Sequence, residues 1–527
     1  MREETYDVVV VGGGAAGLSG ALALSRARRS VLVIDGGQPR NAPAGHVHNY
    51  LTRDGASPLD LLTAGRDEVT RYGGEVIDGA VTQARRDGET FEVTLADGRS
   101  TRARRLLVTT GLQDELPDVP GIARRWGRDV LHCPYCHGWE VRDRRIGVLA
   151  TGPLAGHQAE LWRQWSADVL LLTHETAPPA GEDADRLAAR EIVVVEGAVT
   201  ALEVVDDALT GVRLASGEVV ALDALVVAPR FTARGELLAE LGVTPVDVEM
   251  AGHTVGSQVP ADANGATAVA GVWVAGNVAD LRAQVVTAAA AGLNAGAAIN
   301  ADLVAEETRQ AVDDYRHRAR TMFEAPAWEE RYQAAPAIWS GRPNAQLVAE
   351  AAGLAPGRAL DVGCGEGADA LWLAERGWQV TGVDISTTAL ERAAAHAAER
   401  GAQIVERTDW VHADLREQPP AEGAYDLVSA HFMHLPGDAR RDLYARLAAA
   451  VAPGGTLLIV GHHPRDLRNR GHRMHFPGMM FTAEEIAAEL DPADWDLLAV
   501  QTRPRAAAGH GGEEVTHHDA VLVARRR

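Results

Sequence analysis

Two stretches far apart in the chain constrain the fold more than anything else. Residues 7-DVVVVGGGAAGLSGALALSRARRSVLVIDGG-37 and 358-RALDVGCGEGADALWLAERGWQVTGVDIS-386 share one order: apolar strand, glycine-rich turn, Ala-rich helix, second strand, acid. That order specifies a parallel strand–helix–strand unit whose turn offers backbone N–H groups to a ligand. Two such units in 527 residues predict at least two α/β domains. In the first, Gly12, Gly14 and Gly17 fill the G-x-G-x-x-G positions. The first permits the turn, the second lets backbone approach a pyrophosphate, and the third lets helix and strand pack closely. Asp35 ends the second strand, where a carboxylate can accept hydrogen bonds from ribose hydroxyls. Strand, helix and acid together favour dinucleotide binding over a plain packing turn.

Composition narrows the partners. With 51 basic and 73 acidic side chains the net charge is −22, which repels phosphate backbones and argues against nucleic acid. The sequence has no lysine, so Schiff-base and P-loop lysine chemistry are excluded. Three cysteines do not make a disulfide-stapled secreted scaffold. The start, MREETYDVVVVGGG, lacks a basic n-region and a cleavage site, and no apolar run reaches the length of a membrane span. The expectation is a cytoplasmic protein that binds no membrane.

Two of the three cysteines stand in 132-HCPYCHGWE-140. A zinc site needs three or four ligands, and only His132 and His137, adjacent in sequence, are at hand to complete one. Buried structural thiols would not explain the Pro-Tyr spacer and flanking histidines. A redox pair is the preferred reading, with His137 as an imidazole able to take a thiol proton. The competing reading has His137 packing on Trp139.

Further signals follow in order: the strand 105-RLLVTTG-111 and the strand–turn–helix 271-GVWVAGNVADLRAQVVTAAAAG-292. With these motifs, residues 5 to about 302 resemble the low-molecular-weight thioredoxin reductases, flavoproteins of two nested Rossmann-like domains. The resemblance implies a discontinuous FAD domain, 1–117 plus 232–302, with an NAD(P)-like insert at 118–231 carrying the CxxC. It implies FAD pyrophosphate at Gly12, Gly14, Ala15 and Gly17, and ribose at Asp35. Gly37, Gln38 and Asn49 would lie along the flavin, Thr110 and Gly111 would close the pocket, and Gly276, Asn277 and Gln284 would meet the ribityl chain and ring. Asn277 stands where the family has Asp. By the same likeness Cys136 faces the flavin, Cys133 exchanges with substrate, and the protein is a homodimer. The second nucleotide turn, 146-IGVLATGPLAGHQAELWRQW-165, has Ala150 for its first glycine, Pro153 without an N–H, and no arginine pair for a 2′-phosphate. NAD(P)H is therefore uncertain as a cofactor. This combination resembles the dithiol oxidases of gliotoxin and holomycin pathways, which pass electrons through FAD to oxygen.

The stretch 303–330 reads as a helix leading to a linker, and 331–527 as the second domain. Its D-x-G-x-G-x-G turn resembles class I S-adenosylmethionine methyltransferases. The resemblance implies that Asp361, Gly363 and Gly365 form the methionine side of the cofactor site, with Asp384 on the ribose and Asp414 at the adenine. Cys364 is expected to be inert packing. His431, ending 425-YDLVSAH-431, is the candidate proton acceptor, ahead of His434. The histidine pairs His462–His463 and His517–His518 are expected to be solvated, and no metal is expected. The chain thus reads as an α/β bifunctional enzyme: a flavin thiol/disulfide oxidoreductase, oxidising small-molecule dithiols, joined to a methyltransferase of the same thiol. Alternatives are an NAD(P)H-dependent disulfide reductase with an unrelated or metalloid methyltransferase, and a flavin redox sensor without turnover.

Overall fold

The computed structural model describes residues 5–468, 479–508 and 514–527, in two compact units that part between Thr308 and Arg309. In the first unit, Thr5–Val11 is a buried run of valines flanked in parallel by Val31–Asp35 and Ser100–Val108, with Glu75–Asp78 outside. Val272–Val274, far along the chain, adds a further parallel strand against Leu106–Val108. The other end of Ser100–Val108 pairs antiparallel with Thr90–Leu95, which pairs with Val81–Asp87. Strands buried on both faces explain why these sequences are continuous apolar runs rather than alternating ones.

A second, wholly parallel sheet runs Val193–Val195, Val169–Leu172, Ile146–Leu149, Ala224–Val226, Val130–Leu131. Its own core includes Val148, Trp162 and Leu171. Leu112–Glu115 and Arg230–Ala233, at the two crossings between the sheets, pair antiparallel with each other. The first unit is therefore two nested Rossmann-like layers.

The helix Ala15–Arg26 crosses the long helix Val285–Thr321 without side chains between them. A Cβ added to Gly292 would lie 1.9 Å from the Ala16 carbonyl oxygen, and one on Gly296 would lie 2.8 Å from that of Gly20. That close approach joins the two parts of the discontinuous layer. The long helix runs unbroken through residue 302 to Thr321, so the helix expected from 303 continues the one before it. No glycine, proline or cap interrupts it there. Arg105 bonds Asp302 at 2.6 Å and Arg104 bonds Glu306 at 2.6 Å, pinning the stretch to the strand Ser100–Val108.

In the second unit a seven-stranded sheet runs Thr408–His412, Gln379–Asp384, Arg358–Val362, Tyr425–His431, Val451–His462, Glu514–Arg526, Trp495–Ala508. The first five are parallel and Glu514–Arg526 is antiparallel to both neighbours. This is the sheet that the resemblance to class I methyltransferases implies. Both glycine turns and both acids stand at carboxyl ends of parallel strands, where open α/β sheets bind ligands. Among the described residues no helix is long and apolar enough to cross a membrane. Gly292→Ala should overpack the helix crossing and lower stability by about 1–3 kcal/mol, read by urea unfolding followed by fluorescence, with loss of bound flavin in parallel.

Candidate active sites

In the first unit a cavity of about 2420 Å³ joins the glycine turn to the cysteines. Gly12, Gly14, Ala15, Asp35, Gln38, Thr110, Gly111, Cys133, Cys136, His137, Gly276, Asn277 and Gln284 all line it. The turn is closed on one face and open on the other. A Cβ at Gly12 would meet the Thr109 carbonyl at 2.6 Å, and one at Gly17 would meet the Gly12 carbonyl at 1.9 Å. A Cβ at Gly14, Gly36 or Gly37 would meet nothing within 4 Å. Gly14 starts the helix without a side-chain cap, leaving its first N–H groups to a ligand. This cradle fits a pyrophosphate.

Three expected cofactor residues have work within the protein. Asp35 Oδ1 accepts the Gly13 and Gly37 N–H groups at 3.1 and 3.3 Å, and Oδ2 is paired with Arg66. Oδ1 thereby uses both its lone pairs, and Oδ2 keeps one for a ribose hydroxyl. The Asn277 amide donates to the carbonyls of Asp280 and Ala283 at 3.1 and 2.9 Å, so it braces its own turn and leaves its oxygen to Arg40, 3.5 Å away. Asn49 lies outside the cavity lining and donates to the Tyr135 carbonyl at 2.7 Å, so it clasps the cysteine segment.

Cys133 is the N-cap of a one-turn helix, Pro134–His137, that proline is suited to begin. The Cys136 thiol and the N–H groups of Cys136 and Tyr135 donate to the Cys133 sulfur, and the Arg40 charge adds to them. Together they outweigh burial and bring Cys133 down to about 7. Cys136 is pushed up, first by its bond to Cys133 and then by burial. The two sulfurs are thus joined by a hydrogen bond and not by a disulfide in this structure. Burial lowers His137, against the pull of Glu140, so it is a neutral imidazole at neutral pH. His132 is also lowered by burial, and its Nδ1 lies 3.1 Å from the Val227 carbonyl. Trp139 turns outward, 66% exposed, beneath Arg142 at 4.2 Å.

Arg40 was not among the expected residues. It forms a bidentate pair with Asp114 at 2.7 and 2.9 Å and stacks over Phe231. Nothing in its local sequence marks it, because its partners come from three distant segments. At the second nucleotide turn, Gly152 is covered by His253: a Cβ there would lie 3.1 Å from the imidazole Nε2. The short helix after it starts only at Ala155, capped by no side chain.

In the second unit, Gly363, Gly365 and Gly367 all adopt left-handed backbone, φ 67°, 52° and 85°, which explains three glycines in five residues. Asp384 accepts the Gly365 and Ser386 N–H groups, each at 2.9 Å, and burial raises its carboxyl. Asp414 is held bidentately by Arg416. Tyr332 and Trp339, hydrogen-bonded at 2.8 Å, lie over Gly365. Both come from the stretch following the expected linker. Their signal was the run of aromatics, Trp328, Tyr332 and Trp339, in a chain with only 5%.

His431 is enclosed. Its Nδ1 pairs with Asp369 at 2.7 Å, and Nε2 is buried without a hydrogen-bond partner. Asp361, whose Oδ2 is likewise orphaned, lies beside it, with one ligand atom from each of the three residues within 4.8 Å of the others. Burial, then Asp369, raise Asp361 to about 7. Burial lowers His431, but its bond to Asp369 and the nearby carboxylate charges outweigh that and raise the ring, so Nε2 is not an acceptor by default. The orphaned Asp361 oxygen beside the glycine turn suits the ammonium of an amino acid, and the enclosed His431 ring has no open path to a methyl acceptor. His434 accepts the His462 N–H at 3.1 Å and stacks on its ring. His518 Nδ1 pairs with buried Asp466 at 2.8 Å. These histidines are built into the sheet end rather than solvated. Cys364 is buried, and its thiol is raised by that burial.

The pyridine nucleotide-disulphide oxidoreductase family matches residues 6–292, and a methyltransferase domain family matches residues 359–455. Thioredoxin reductase sirT of Leptosphaeria maculans is 30% identical over 313 residues, 56% of this chain and 93% of that protein. Thioredoxin reductase aclD of Aspergillus oryzae is 41% identical over 160 residues, covering 29% of this chain and about half, 51%, of the relative. Among solved structures, HlmI is 46% identical, with TM-score 0.56 over 61% of this chain and 99% of its own. An Agrobacterium tumefaciens oxidoreductase is 33% identical, with TM-score 0.54 over 57% and 99%. Membership implies FAD and pyridine-nucleotide binding in the first unit, and the methyltransferase domain implies S-adenosylmethionine in the second.

Iodoacetamide should alkylate Cys133 of the reduced protein with a half-maximal rate near pH 7, rising as pH rises, while Cys136 lags. Cys136→Ala should remove that donor and move the midpoint upward. The chain belongs to the pyridine nucleotide-disulphide oxidoreductase family, as a thioredoxin reductase-like flavin enzyme fused to a methyltransferase.

Proposed function

We propose that the first unit oxidises a small-molecule dithiol at Cys133–Cys136 and that the second caps such a thiol by methylation. The observation that carries the oxidative direction is the second nucleotide turn, where Pro153 removes an N–H and His253 covers Gly152. Such a turn offers little to a pyrophosphate, whereas the cysteines open directly to the cavity. His137, neutral and half-buried, takes the substrate proton, and the resulting thiolate attacks Cys133. Cys136 leaves and faces the flavin side, while Arg40 balances the charge on both sulfurs. FAD, when bound, supplies a two-electron acceptor for the pair and a route onward to dioxygen. The cytoplasm, where thiols stay reduced, is the compartment this reading requires.

In the second unit, Asp384 is proposed to hold the cofactor ribose and Asp414 the adenine. Tyr332 and Trp339 form the cover over the turn. Methyl transfer to a thiolate needs chiefly positioning. The enclosed His431 is proposed to shape the cofactor end of the site with Asp361 and Asp369, instead of serving as the acceptor's base.

Anaerobic mixing of the flavin-loaded protein with dithiothreitol, NADPH and NADH in parallel tests the first proposal. The dithiol should bleach the flavin fast and the nicotinamides slowly, with air restoring colour. Fast bleaching by NADPH and no oxygen-dependent dithiol turnover would make the protein a disulfide reductase, the reading its family description favours. His137→Gln should slow the dithiol reaction by roughly 100-fold or more. Asp384→Asn should weaken S-adenosylmethionine binding by about 10- to 100-fold in titration calorimetry, the loss of charged hydrogen bonds.

A further inference from the structure

The loop from Val47 to Ala56 is closed by an antiparallel bridge between those two residues. Asn49 and Thr52 within it hold left-handed backbone, φ 61° and 73°. Non-glycine residues keep that conformation when the surroundings demand it. What the loop achieves is the presentation of one side chain, His48. Its Nδ1 lies 3.4 Å from Asp54 Oδ1, and its Nε2 lies 3.4 Å from Glu140 Oε1. Asp54 Oδ1 also accepts the Asn49 N–H at 2.9 Å, and the Asn49 amide fixes the loop to the cysteine helix through Tyr135. The imidazole is therefore suspended between a carboxylate of its own loop and one from just beyond His137.

His48 and His137 line the same cavity as the cysteines. Asp54 is 68% exposed and Glu140 40% exposed, so the chain of groups ends in water. The groups facing His48 are Asp54, Glu140, His137 and His46, the last with ring centroids 6.1 Å apart. Two carboxylates and two further imidazoles thus surround the His48 ring.

We propose that His48, with Glu140 and Asp54, is the proton exit of the cysteine site, taking from His137 the proton that a dithiol surrenders and passing it to water. The inference rests on the dithiol-oxidising reading above. The oxidant is the Cys133–Cys136 disulfide. The first substrate thiol loses its proton to His137, and its sulfur bonds to Cys133 as the S–S bond breaks and Cys136 leaves as thiolate. The second substrate thiol loses its proton and attacks the first substrate sulfur. A cyclic disulfide forms and Cys133 leaves as thiolate. Two electrons then reside on the cysteine pair, and two protons have left the substrate. Cys136, the weaker acid of the pair, retains one of them. The other must depart, and His137 can hold only one at a time. A second imidazole lining the same cavity as His137 meets that demand.

The full-length, flavin-loaded protein with its cysteines oxidised is mixed anaerobically with dithiothreitol, quenched in acid and alkylated. Loss of the Cys133–Cys136 disulfide is followed by peptide mass from about pH 5.5 to 9, the range in which imidazole proton acceptors titrate. His48→Gln should slow that loss about 10-fold at neutral pH, less than the roughly 100-fold or more of a direct acceptor. Added imidazole should restore part of the rate. Glu140→Gln, which keeps the shape, should also slow it and move the profile. If His48→Gln loses flavin, Glu140→Gln decides the matter. A normal rate and an unchanged profile in the deciding variant overturn the proton exit. A normal rate in His137→Gln overturns the base assignment beneath it, whereas a slow His137→Gln beside a normal His48→Gln removes the exit alone.

Discussion

Everything in the flavin unit depends on two helices touching backbone to backbone. The Ala15–Arg26 helix carries the amino-terminal turn, and the helix beginning at Val285 follows directly on Gly276–Gln284. Where Gly292 and Gly296 meet Ala16 and Gly20, no side chain fits between them. That contact brings Gly276, whose added Cβ would lie 2.9 Å from that of Ala16, up beside the helix that leaves the Gly12 turn, so one wall of the site draws on distant parts of the chain. The parallel strand Val272–Val274 against Leu106–Val108 makes the same junction in the sheet. Around it gather Val8, Val10, Leu107, Trp273 and Ile299 in one core.

Much of this was legible because glycine spacing is local. Gly12, Gly14 and Gly17 announce a turn whose constraints act within a few residues, and the same holds for Gly363 and Gly365. The acids Asp35 and Asp384 were legible for the same reason, as the last residues of apolar strands. Their occupation by Gly13, Gly37 and Arg66, or by Gly365 and Ser386, was not, because hydrogen-bond partners are set by the three-dimensional meeting of loops. Arg40 escaped notice altogether. Its bonds to Asp114 and Asn277 and its stacking on Phe231 join segments with no pattern in common.

The histidines teach the reverse lesson. His431 ends the strand that leads to the site, yet Asp369, in the first turn of a neighbouring helix, holds its ring inward. His137 stands beside a cysteine in sequence, and it lies in the cavity with both sulfurs. Position in sequence locates an imidazole near chemistry. Whether it can reach that chemistry is decided by which nitrogen is already taken.

The backbone contact at Gly292 also has a consequence in time. During synthesis the valine strand and the Ala15–Arg26 helix leave the ribosome long before their partner is translated. At elongation rates of about 5–20 residues per second, that wait lasts on the order of ten seconds or more. Throughout it, Val8, Val10 and Leu107 lack the wall that later covers them. The inserted parallel sheet, contiguous in the chain and with a core of its own, is free to fold during the delay. That contiguity allows the middle of the unit to fold ahead of its two ends, and the valine strand gains its last wall only when the helix from Val285 arrives.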